Sequence, residues 1–360
     1  MANSLFEPIK LSGVEIPNRI IMSPMCQYCV EEGLATDWQH VHLCSRAVGG
    51  TGLVMTEATA VEPRGRITPF DLGIWTDEHA KRLEKSVSFI KSQGSVPGIQ
   101  LSHAGRKASH APPRNDRKPL SPEDGGWEVI APSDIPYPEP DPVTTKQMDL
   151  SDVSTVVESF QQAAERANEI GFEVLEIHAA HGYLFHQFLS PISNHRQDKY
   201  GGTFSNRTRL LRETINRIKQ VWPNEKSIIV RISATDWMPA QKSWTIDSSI
   251  HLANELSHMG VDLIDVSAGG IHPNQNVPES GPGYQVPYAE QIGSEVDIPV
   301  STVGKITNPR HANSIIQNGR ADMVALGREF LRNPYWPLKA AHELNEPIDW
   351  PTQYQRGKFD

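Results

Sequence analysis

Two histidines and a tyrosine in close succession, His178, His181 and Tyr183, are the residues of this chain best suited to chemistry. Two imidazole N–H donors can hold a carbonyl or nitro oxygen, and a phenol beside them can deliver a proton, which together make an electrophilic clamp with a general acid. With His186 as a third ligand the same histidines would suit a metal-dependent barrel hydrolase, although their spacing is not the helical i, i+4 pair of such sites. Arg231 lies inside the apolar run Val230-Arg231-Ile232 and needs either a structural carboxylate or a bound anion. Gly327-Arg328 offers backbone amides and a guanidinium to an anion, with Val303-Gly304 closing the preceding apolar run. Cys26-x-x-Cys29 has no second pair to complete a zinc site, so one thiol packing at a strand end is expected. Lys305 could form a Schiff base or could simply be solvated. No G-x-G-x-x-G follows a strand, which argues against a classical dinucleotide fold.

These residues sit at the ends of eight apolar, β-branched runs: 19–25, 52–58, 97–102, 173–178, 228–233, 263–267, 299–303 and 322–326. Helical periodicity lies between them, clearest at 77–93, 151–170, 206–221 and 246–259. Ser151 or Asp152 and Ser205 are candidate N-caps, and Gly94, Gly171 and Gly260 follow the last helical residues. Continuously apolar strands alternating with helices predict a parallel sheet, and eight units predict an α/β fold, a single (β/α)8 barrel with its chemistry at the C-terminal ends of the strands. Residues 111–146 hold nine prolines, a density that excludes helix and central strand. A loop insertion after the third strand emerges on the active face, where lids form.

Composition narrows the function class. The chain has 34 basic and 43 acidic residues, a net charge of −9, so no nucleic-acid partner is expected. No apolar stretch approaches the roughly 18 residues of a membrane span, and residues 1–10 lack the order of a signal peptide, so the expected compartment is the cytoplasm. Three cysteines, Cys26, Cys29 and Cys44, are too few to staple a secreted fold of this size.

The chain resembles the Old Yellow Enzyme family of flavin-dependent ene-reductases, in the shorter bacterial class of xenobiotic reductases and NADPH dehydrogenases. The resemblance rests on Leu5-Phe6-Glu7-Pro8, Pro17-Asn18-Arg19-Ile20, Ser23-Pro24-Met25-Cys26, Gly73-Ile74-Trp75, His103-Ala104-Gly105-Arg106-Lys107, the run from Glu176 to Leu184, Ser193-Asn194-His195-Arg196, Tyr200-Gly201-Gly202, Asn206-Arg207 and Gly327-Arg328. It implies noncovalent FMN at the barrel mouth, contacted by Ser23, Pro24, Met25, Cys26, Ala58, Gln100, Arg231, Val303, Gly304, Gly327 and Arg328. It further implies NADPH as hydride donor and activated alkenes as substrates, bound by Tyr28, His178 and His181 and protonated by Tyr183, with no metal. Cys26 would tune the flavin rather than act as a nucleophile. The tail, residues 350–360, resembles one that sends an arginine, here Arg356, into a neighbouring subunit's site, which implies a homodimer or homotetramer. Cys29 departs from the class, which more often has a small polar residue there, and could oxidise with Cys26.

Overall fold

A computed structural model describes residues 4–359. Its eight parallel strands, Ile20–Met22, Leu53–Ala60, Val96–Ser102, Val174–Ala179, Ser227–Ser233, Leu263–Ser267, Val300–Val303 and Met323–Leu326, form a closed barrel in chain order. The pairing of Val324 with Ile20 closes it. Almost every residue of these strands is buried, because one face packs into the barrel and the other meets the helices. The predicted runs and the strands agree to within two residues at most boundaries, with the first run shrinking to Ile20–Met22.

The helices agree less well at their starts. Leu150–Glu169 is capped by Asp149, whose carboxylate accepts from the backbone N–H of Ser151 and Asp152, so the cap is neither of the two residues expected. Thr203 rather than Ser205 caps the next helix, and 206–221 divides into Phe204–Arg207 and Arg209–Ile218. Gly94, Gly171 and Gly260 do adopt positive φ after their helices.

One element is absent from the sequence reading. The hairpin of Ile9–Leu11 and Val14–Ile16 packs Ile9, Leu11, Val14 and Ile16 against Leu53, Val96, Val174, Ile229, Leu263 and Met323, residues at the strands' N-terminal ends. It plugs the bottom of the barrel, and two three-residue strands are too short to announce themselves by alternation.

The proline-rich excursion has structure of its own where prolines are missing: Val129–Ala131 pairs in parallel with Thr145–Gln147. Arg196 donates to Pro132 O and Met148 O, holding the base of the excursion. Arg106 donates to Ile271 O at 2.7 Å and reaches Ile135 O and Pro136 O at 3.4 Å, which ties the excursion to the loop after the sixth strand.

Candidate active site

The turn after the fourth strand brings the histidines and the tyrosine together. His181 and Gly182 both adopt left-handed backbone, at φ 57° and 74°. A Cβ on residue 182 would lie 2.1 Å from Gly270 O, so glycine alone fits there. His186 locks this turn: its Nδ1 accepts from Gly182 N at 2.9 Å, and its Nε2 lies 2.8 Å from Asp236 Oδ1. Asp236 also accepts from Ser190 Oγ and Trp244 N, each at 2.7 Å. Both nitrogens of His186 are thus committed, and the described residues contain no group of three His, Cys, Asp or Glu that could hold a metal. The three-histidine metal site is therefore not formed.

The ring of His178 stands 5.1 Å from that of His181 and 4.9 Å from that of Tyr183, both nearly perpendicular. His178 Nδ1 accepts from Ala180 N, so its proton sits on Nε2 and is available to a substrate. Burial, then the charge of Arg231, pulls both imidazoles well below their usual range, and they are neutral donors. His181 Nε2 lies 2.7 Å from Ser267 Oγ, which in turn donates to Gln285 Oε1. Gln285 is fixed by donating to Val303 O. The Nε2 proton of His181 therefore points to Ser267. Ser267 and Gln285 were missed from the sequence; the signal available was the polar end of the sixth run.

Burial, followed by the neighbouring Cys26 and Tyr28, pushes the Tyr183 phenol well above its usual range, so it holds its proton. Burial likewise keeps Cys26 a thiol, bonded to the Ala58 backbone and to Tyr28, a state that does not suit a nucleophile. All three cysteines are free, and exposed Cys29 accepts from Gln39 Nε2. Lys107 crosses the turn, donating to His181 O at 2.9 Å and Gly270 O at 3.1 Å; burial, then Arg117 and Arg106, lowers it to about 7.

Arg231 has a structural partner. Its Nε lies 3.2 Å from Asp265 Oδ2, its Nη1 donates to Ser23 Oγ at 3.1 Å, and Asp265 also accepts from Ser301 Oγ. The Nε is buried without an aligned acceptor, so the guanidinium retains donor capacity. Gln100 donates to Glu176 and stands beside Ala58 in register.

Two cavities flank this cluster. One, of about 490 Å3, is lined by His181, Arg231, Val303, Gly304, Gly327 and Arg328 among others. Gly304 has φ 141°, which lets its backbone turn into this space, and a Cβ on Gly327 would meet nothing nearer than Met25 Sδ at 3.8 Å. The other, about 90 Å3, is lined by Tyr28, Lys107 and Tyr183 together with Arg117 and Tyr137 of the excursion. Lys305 lines the first cavity but is exposed, with its ammonium donating to Ser280 O and Oγ, and lacks the buried setting of a Schiff-base lysine. Arg356 lines neither cavity; it lies in a surface groove with Tyr335, Trp350 and Phe359.

The model of the NADH:flavin oxidoreductase / NADH oxidase family matches residues 4–347. The chain belongs to that family. It is 47% identical to an NADPH dehydrogenase of Bacillus subtilis (strain 168) over 360 residues, covering 99% of this chain and 100% of that one. It is 45% identical to an NADPH dehydrogenase of Geobacillus thermodenitrificans (strain NG80-2), with 99% of each chain covered. Among solved structures, morphinone reductase superposes with a TM-score of 0.79 at 25% identity, over 98% of this chain and 92% of that one. An old yellow enzyme homologue from Zymomonas mobilis shares the fold, with a TM-score of 0.77 at 24% identity, over 99% and 98%. As a flavin oxidoreductase of this family, the enzyme uses FMN with NADPH as electron donor. The donor set fits that cofactor: a buried guanidinium with unused capacity on the fifth strand, a carboxamide on the third, and a glycine-lined basic cavity. No described helix is long and apolar enough to cross a membrane.

Proposed function

We propose that this flavin oxidoreductase is an ene-reductase, reducing the C=C bond of α,β-unsaturated carbonyl or nitro compounds. The observation that carries the reading is the meeting of two neutral imidazoles with a phenol that keeps its proton. FMN, when bound, relays a hydride from NADPH to the β-carbon of the alkene. His178 Nε2, and His181 once released from Ser267, donate to the substrate oxygen, where negative charge grows as the reaction proceeds. Tyr183 delivers its proton to the α-carbon, and Tyr28 lines the same pocket. Arg231 and Gln100 serve the flavin's pyrimidine edge, beside Ser23, Pro24, Met25, Cys26 and Ala58. Arg328, with the backbone of Val303, Gly304 and Gly327, serves its phosphate.

Replacing Arg328 by Ala removes a charge-assisted contact, for which FMN affinity falls about ten- to hundredfold; fluorescence titration of the apoprotein with FMN measures it. The excursion, residues 111–146, acts as the lid over the smaller cavity, and the protein works in the cytoplasm as a homodimer or homotetramer. Arg356 completes a neighbouring subunit's site. Arg356→Ala then lowers kcat/KM on the order of tenfold with FMN affinity unchanged, and equal turnover by the variant counts against the finger.

Product analysis under anaerobic conditions tests the reading as a whole. One saturated product per NADPH consumed supports it; NADPH oxidation only when dioxygen or a quinone is supplied overturns it.

A further inference from the structure

Two buried carboxyl groups in the barrel have no place in the reaction described above. Glu176, on the fourth strand, and Asp265, on the sixth, are each only 1% exposed and in side-chain contact with one another. Asp265 sits as a carboxylate would, accepting from Ser301 Oγ at 2.7 Å and paired by charge with the Arg231 guanidinium, whose Nε lies 3.2 Å away. Glu176 accepts from Gln100 and meets Asp265, an oxygen facing an oxygen, which a hydrogen bond tolerates only if one of them carries a proton.

The charges facing Glu176 are few. The fifth strand contributes Arg231 and the sixth Asp265, while the third offers uncharged Gln100; His178, two residues along its own strand, is neutral. One cation thus faces two carboxyls in a dry site, and it balances one of them.

We propose that Glu176 is a positioning residue that shares a single proton with Asp265, and that this proton holds Gln100 and Arg231 in place and keeps the charge facing the flavin's pyrimidine edge neutral. The proposal rests on the placement of Arg231 and Gln100 against the flavin given above. Burial, and after it the charge of Asp265, raises the Glu176 carboxyl to about 8. Its proton is therefore present below that pH and lost above it. Loss leaves one net negative charge next to a group to which reduction adds negative charge, and the midpoint potential falls.

The test is the midpoint potential of the FMN-loaded enzyme between about pH 6 and about pH 10, spanning the raised carboxyl. The wild type is expected to show an added downward inflection near pH 8 that Glu176→Gln, which keeps the amide-sized shape without the proton, abolishes while matching the wild-type potential at neutral pH. Asp265→Asn, which removes the like charge, shifts the inflection to lower pH and keeps the proposal testable should the first variant not fold. Glu57, another carboxyl that burial raises to about 8, faces Gln27 and Gln39, so Glu57→Gln retains the inflection. An inflection that survives in Glu176→Gln, or that disappears in Glu57→Gln instead, overturns the shared proton. Arg231→Met separates the two levels: unchanged FMN affinity and potential in that variant would remove the flavin placement itself, whereas a shift in it beside an unaltered inflection in Glu176→Gln removes only the proton-sharing role.

Discussion

Tyr183→Phe slows alkene reduction by about 10²- to 10⁴-fold, the range of a lost general acid, and leaves reduction of the flavin by NADPH at its wild-type rate. The substitution keeps the ring that packs 4.9 Å from His178 and removes only the phenolic proton. That proton is retained at any working pH, since burial raises the phenol far above its usual range. The two half-reactions use the site differently: only the second needs a proton at the α-carbon. Anaerobic stopped-flow separates them, with NADPH mixed against oxidised enzyme in one experiment and alkene against reduced enzyme in the other. Equal slowing of both would assign Tyr183 to architecture and remove it from proton transfer.

The second large effect is on stability. Asp236 is wholly buried and is the common acceptor for His186, Ser190 Oγ and Trp244 N. Asp236→Ala strands all three at once, and we expect it to destabilise the fold by about 3–5 kcal/mol. That is a large fraction of the roughly 5–15 kcal/mol that holds a typical domain together. Activity falls with it, because His186 is what fixes Gly182 and hence the left-handed turn carrying His181 and Tyr183. Urea unfolding read by fluorescence gives the midpoint; one equal to wild type would show that the network is not what secures the turn.

The barrel was legible because each strand is apolar along its whole length and each is followed by a helix of distinct period, a contrast that survives in a single sequence. What failed to show has specific causes. The floor hairpin, Ile9–Ile16, is two three-residue strands, too short for a period. The cap at Asp149 was misread because Ser151 and Asp152 are equally good capping types and only geometry chooses between them. Arg231 was seen to need a partner, but Asp265 lies 34 positions on and is brought beside it by strand pairing, Asp265 opposite Arg231. His186 looked like a third metal ligand until Asp236, fifty positions away, was found to occupy it. The cluster of His178, His181 and Tyr183 was readable because one strand end and the turn after it carry all three, whereas Ser267, Gln285 and Glu176 make their contacts between elements, which spacing along the chain does not encode.

The proposed service of one flavin to a donor and then an alkene is followed directly by the visible spectrum. Purified enzyme loaded with FMN is expected to be yellow, to bleach on anaerobic addition of NADPH, and to regain its colour when an α,β-unsaturated ketone is added, with one equivalent of saturated ketone formed per flavin. Enzyme that bleaches with NADPH and stays bleached in the presence of the alkene, recovering only when air is admitted, would contradict it.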